Sequence, residues 1–170
     1  MKRLLLLLIA FSLFLCANAQ IRDSFYGCKL GVTTKKQLLD NLKQLGHKSL
    51  YDKENKCYYI EKVTFAGEQW ESCQFKFYKD ILYCVGFGLQ SNKEDVIDVY
   101  NRNIENVRTK YVNIEGKMIS DNQNDKLCCF DDGNTILGID YKIEEGNFAT
   151  LIYQSKKLIK QMDEEAYNDI

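Results

Sequence analysis

Apolar residues in this chain change their spacing several times, and each change predicts an element. Leu4 to Leu15 is continuously apolar except for Ser12. Beyond Thr34, Leu38, Leu39, Leu42 and Leu45 return at helical intervals and share one face of a predicted helix. Thr34-x-x-Gln37 opens that helix as a capping box, in which the two side chains satisfy backbone N–H groups the first turn leaves unpaired. Gly46 closes it, because glycine accepts a left-handed backbone without a Cβ clash. From Cys57 to about Phe65 the aromatic and β-branched content predicts a strand, followed by a turn at Ala66-Gly67. Cys73, Phe75 and Phe77 then alternate with Gln74 and Lys76, the two-residue period of a half-buried strand. After Lys79-Asp80 a third run, Ile81 to Leu89, is apolar throughout.

The second half repeats this order. Ser91-x-x-Glu94 predicts another capping box, and Ile97, Tyr100, Ile104, Val107 and Tyr111 form an amphipathic stripe behind it. A polar loop leads to three predicted strands, 127–131, 135–143 and 148–153, joined by turns at Asp132-Gly133-Asn134 and at 144–147. Ser155 precedes a last helix with Leu158, Ile159 and Met162 on one side. The fold class expected is α+β: two α-βββ units plus a C-terminal helix. Short hairpins make the sheet antiparallel. One-sided helices place all helical cover on one sheet face. The other face is then solvated, or covered by a partner.

Register in the hairpin around Lys79-Asp80 bears on the cysteines. A strict two-residue turn would set Cys73 and Cys84 on one face. A one-residue bulge sets Phe75 over Val85 and Phe77 over Tyr83, and sends Cys84 to the opposite side. Hydrophobic matching favours the bulge, so Cys73 and Cys84 are not expected to be partners.

Lys2 and Arg3 before the apolar run, and Ala17-Asn18-Ala19 after it, complete the pattern of a secretory signal peptide over 1–19. The run is shorter than the roughly 20 residues that span a bilayer. Residues 20–170 are then read as one α+β domain, exported to the periplasm or outside the cell. No later segment is apolar enough to span. Lipid anchoring at Cys16 is not expected, because Leu15 stands where lipoprotein processing prefers a small residue. With Lys2 and Arg3 removed, the 23 basic residues become 21 against 24 acidic ones. No polybasic stripe appears, which argues against nucleic acid as a partner. Proline is absent, and no composition shift marks a second domain.

Cys28, Cys57, Cys73, Cys84, Cys128 and Cys129 lie beyond the leader. In an oxidising compartment an even number of cysteines reads as disulfide-forming before zinc-binding, and at least one bridge is expected. Buried free thiols are the competing reading. Adjacent Cys128 and Cys129 point to opposite faces of a strand and should not bond each other.

The stretches Phe25-x-Gly27, Leu30-Gly31-x-Thr33, Phe65-Ala66-Gly67-x-x-Trp70, Phe75-x-Phe77 and Leu82-Tyr83-x-Val85-x-Phe87 resemble a group of small exported bacterial proteins of uncharacterised function. The resemblance covers most of the chain after the leader, through turn glycines and core aromatics. It implies an α+β fold of the kind seen in β-lactamase inhibitor protein and in small outer-membrane assembly lipoproteins, together with an envelope address. It implies no activity.

Residues that carry chemistry are sparse. His47 is the only histidine and follows a helix-ending glycine, where a structural or surface role is expected. No G-x-S-x-G, H-E-x-x-H or phosphate-binding loop occurs. Asp121-x-Gln123-x-Asp125 lacks the glycine and glutamate of a calcium loop and reads as a solvated turn. Glu144-Glu145 and Asp163 to Glu165 read as solvated faces. Trp70, Tyr78 and Tyr83 are the candidate binding residues, since Trp and Tyr dominate protein interfaces. Tyr58 and Tyr59 share their strand-like setting, in which core and cross-strand packing is the plainer role. No cofactor, metal or catalytic set is expected. The function expected is a non-enzymatic exported module that contacts a protein through an exposed sheet face. The alternatives are an extracytoplasmic enzyme using unrecognised carboxylates or cysteines, and an envelope-assembly factor.

Overall fold

A computed structural model describes residues 20–144 and 146–168. Residues 1–19, which hold the expected leader and Cys16, lie outside the described residues, as do Glu145 and residues 169–170. The fold is mixed α+β. A small hairpin, β1 (Ser24–Phe25) and β2 (Cys28–Lys29), comes first, followed by helix α1 (Lys35–Gln44). Four strands follow: β3 (Leu50–Asp52), β4 (Cys57–Phe65), β5 (Glu68–Tyr78) and β6 (Ile81–Gln90). Helix α2 (Lys93–Lys110) leads to β7 (Gly116–Asp121), β8 (Asp125–Asp131), β9 (Thr135–Lys142) and β10 (Phe148–Ser155), and α3 (Lys156–Asn168) closes the order. Each half is thus a helix followed by four strands, one more than the spacing predicts. The extra strands, β3 and β7, are the two edges of one antiparallel eight-stranded sheet of order β3-β4-β5-β6-β10-β9-β8-β7. The halves meet where β6 pairs with β10.

Local chemistry sets the boundaries. Thr34 and Gln37 make the predicted capping box, and Gly46 takes φ +81 beyond the end of α1. At α2 the cap moves one residue on: Asn92 accepts from the Asp95 N–H, and Ser91 instead donates to the Asp95 carboxylate at 2.7 Å. Tyr26-Gly27, Ala66-Gly67 and Lys79-Asp80 all have two positive φ angles. These are the mirror-image turns whose twist suits a two-residue hairpin. Lys62 also takes a positive φ, within β4, and the burial rhythm slips there from Ile60 to Val63.

One continuous core lies between the sheet and the first two helices. Leu38 and Leu42 of α1 are fully buried, whereas Leu45 is 57 % exposed because the helix ends beneath it. From α2, Val96, Val99, Tyr100, Ile104 and Val107 enter the same cluster, with Tyr111 just past its end and Ile97 half-buried beside it. α2 packs on β9 and β10. Phe65 stacks on Phe87 at 4.1 Å between ring centres, Trp70 lies 6.0 Å from Phe87, and Phe25 of the small hairpin lies 4.8 Å from Tyr153. Ile21 seals this end of the core, its N–H donated to the Asp132 carboxylate at 2.7 Å.

The bulge expected between β5 and β6 is present. Phe75 pairs with Val85, and the register shifts after Lys76 so that Phe77 pairs with Leu82 rather than Tyr83. Cys73 pairs with Phe87 on the core side, and Cys84 pairs with Lys76 on the other.

Candidate functional site

Alternation along the strands defines the second face of the sheet. Phe75, Val85, Phe87, Leu151 and Ile139 face the core, so their neighbours face away from it. Two rows of paired residues cross this second face. One reads Tyr59, Gln74, Gly86, Ile152, Gly138, Cys129; the other reads Glu61, Ser72, Gly88, Thr150, Asp140, Leu127. Three of these positions are glycines, all inside central strands.

Glycine in a strand interior costs roughly 0.5–1 kcal/mol relative to alanine and needs a reason. Backbone conformation supplies none, since Gly86, Gly88 and Gly138 are absent from the positive-φ positions of the chain. Packing supplies none either. A Cβ at Gly86 would lie 3.7 Å from Ile152 Cγ1, one at Gly88 3.5 Å from Ser72 Oγ, and one at Gly138 3.7 Å from Leu127 Cδ1. These are ordinary contacts. The chain has room at each position for a methyl group it does not carry.

Gly86 and Gly88 form the floor of a groove along β6, about 100 Å³ in volume. Gln74 and Lys76 of β5 make one wall, Thr150 and Ile152 of β10 the other, and Cys84 lies at one end. That end is covered. Among the described residues, Cys57, Cys84 and Leu158 are the buried apolar residues outside the main core cluster. Tyr78, which alternates with the inward Phe77, donates its hydroxyl to Glu165 of α3, and Lys79 pairs with the same carboxylate at 2.6 Å. The C-terminal helix therefore reaches the second face at this end of the sheet. The expectation that every helix lies on one face is corrected accordingly.

Burial sets the charge states. The Cys84 thiol is pushed up to about 12, chiefly by desolvation, and burial raises Tyr83 beside it. Cys28, Cys57, Cys73, Cys128 and Cys129 are raised as well, with burial the leading cause in each. Burial therefore favours the protonated thiol, the weaker nucleophile, at each of these positions. Asp140 accepts from the Thr150 hydroxyl, and burial holds its carboxyl above the ordinary aspartate value, with Lys142 opposing and Asp125 reinforcing the shift.

The sequence-predicted residues fall in different places. Trp70 is 2 % exposed in the core, and its indole N–H donates to the Phe65 carbonyl at 3.0 Å. It is a packing residue and presents no surface to a partner. Tyr78 is tied to α3, and Tyr83 is half-buried at the bulge. The structure does not gather these three aromatics into one site. His47 stands edge-on to Tyr26 at 5.3 Å. The six cysteines are free thiols, so the expected disulfide is not formed here. Register explains this, since each pairs across the ladder with a residue other than cysteine: Cys28 with Phe25, Cys57 with Asp52, Cys73 with Phe87, Cys84 with Lys76, Cys128 with Ile139 and Cys129 with Gly138. Cys128 is buried in the core and Cys129 faces the other side, as adjacent strand residues must.

Among the described residues, no group of three or more His, Cys, Asp or Glu side chains is arranged to hold a metal ion. A larger cleft of about 540 Å³ opens where α3 begins. Its Lys29 and Lys156 are paired with Asp23 at 3.1 Å and Asp131 at 2.6 Å, which mutes its positive charge. No family model, curated protein or solved structure matches the chain.

Proposed function

We propose that this is an exported, non-enzymatic binding module that contacts a protein partner through the second face of its sheet. The observation that carries the reading is the set of glycines on that face, Gly86, Gly88 and Gly138, which neither backbone angles nor neighbours require. A strand glycine without an internal reason marks a place where something outside the chain approaches the backbone closely. The surroundings suit a protein surface: Ile152 and Leu127 are apolar, Gln74, Ser72 and Thr150 are uncharged and polar, and the carboxylates Glu61 and Asp140 stand apart in the same row. Export rests on the leader pattern of residues 1–19.

The test uses the immobilised protein and an extract of the cell envelope of its source. Wild type is expected to retain a defined partner, and Gly86→Val and Gly88→Val are expected to lose it while melting within a few degrees of wild type. Val112→Ser, at an exposed site away from the groove, controls for general surface effects. Equal capture by wild type and both valine variants would remove the second face from consideration.

A further inference from the structure

We infer that the groove along β6 receives one aromatic side chain of the partner, a tyrosine; this inference rests on the binding reading above. The groove is one strand wide. Its walls stand on β5 and β10, two strand spacings or about 10 Å apart between backbones. With Gln74, Lys76, Thr150 and Ile152 at the margins, the space between is sized for a side chain and not for a strand or helix. Its volume, about 100 Å³, is that of one side chain. Small-molecule pockets run to roughly 300–1,000 Å³.

The lining selects among side chains. Gly86 and Gly88 expose bare peptide planes, against which a ring packs over its full length. Ile152 and the methylene stems of Lys76 and Gln74 give it apolar flanks. The Lys76 ammonium, the Gln74 amide and the Thr150 hydroxyl stand at the margins, where a phenolic oxygen finds hydrogen-bonding partners. Lys76 also offers a cation to the ring itself. A branched aliphatic chain would use the flanks but none of the polar margin. An aromatic anchor seated in a small desolvated pocket is the usual form of an interface hot spot.

The experiment is an NMR titration of the whole folded protein, labelled with ¹⁵N, using N-acetyl-tyrosinamide and N-acetyl-leucinamide as probes. The tyrosine probe is expected to give saturable shifts at the amides of Gly86, Gly88 and Ile152, and to bind at least about 5-fold more tightly than the leucine probe. Gly88→Ala, which fills the floor without a clash, is expected to abolish those shifts. Val112→Ser, at an exposed site away from the groove, is expected to leave them unchanged. Ile152→Ala, which removes a wall instead of filling the floor, is expected to weaken them. Equal affinity for both probes, or full binding by Gly88→Ala, would overturn the inference. The wider binding reading would survive that result if the valine variants still lost the envelope partner, so the two failures can be told apart.

Discussion

Gly116 and Gly88 stand on strands of one sheet and answer to opposite constraints. A Cβ at Gly116 would lie 2.7 Å from Phe130 Cε1 and 3.0 Å from Cys128 Sγ, both of fully buried side chains, so the core leaves no space for it. At Gly88 the nearest neighbour would be 3.5 Å away. The first glycine is imposed from within by dense packing on the helix-covered face. The second is imposed by nothing in the chain. Where interior packing explains the glycine on one face and not those on the other, the second face is the place to look for an outside contact.

The largest effect that would sharpen this contrast is on the covered face. Trp70→Ala is expected to cost about 3–5 kcal/mol in urea unfolding, through lost burial and an unfilled cavity beside Phe87. A loss below about 1 kcal/mol would mean that the aromatic cluster is not the core it is taken to be. Gly116→Ala should cost about 1–3 kcal/mol, because Phe130 must leave its position. Gly88→Ala should instead stabilise the fold by about 0.5–1 kcal/mol, since the added methyl fits and the unfolded chain loses freedom. If the two alanine variants shifted in the same direction, the contrast between the faces would fail.

The smallest effect concerns Asp140. Its folded carboxyl titrates above the ordinary value of 3.8, mainly because burial penalises the charge. The folded state therefore binds more protons than the unfolded chain between 3.8 and the raised folded value. Stability falls as pH rises through that window and is flat above it. Asp140→Asn is expected to flatten this part of the pH profile and to be the more stable form at neutral pH, as read by thermal melts across the acid range. An unchanged profile would show that the second face leaves Asp140 well solvated.

Much of the scaffold was legible in the sequence because its signals are local. Thr34 with Gln37, the α2 stripe, and the turns at Ala66-Gly67 and Lys79-Asp80 each act within a few residues, and the bulge followed from matching Phe75 to Val85. The edge strands were hidden for a physical reason. β3 and β7 have a neighbour on one side only, and residues such as Tyr51 and Ile119 stay exposed, so neither strand shows apolar alternation. The run from Ile81 to Leu89 concealed the groove in another way. It reads as continuously apolar because Cys84 is buried on the second face, and the glycines at 86 and 88 pass as part of the same run. An alternating pair of glycines inside a strand was the available signal. The aromatics drew attention instead, and Trp70 belongs to the core.

The pairing of β6 with β10 bears on how the molecule assembles. Within each half every strand pairs with the next in sequence, so both halves can zip up from short hairpins as the chain emerges. The seam is different. It joins Cys84 to Gln154 and Gln90 to Phe148, and it forms only after nearly the whole domain has been delivered. Until then β6, the most apolar strand, waits with one edge bare, open to any other chain that offers a matching strand. A truncation ending before Phe148 would make that interval permanent, and aggregation rather than partial function is its expected outcome.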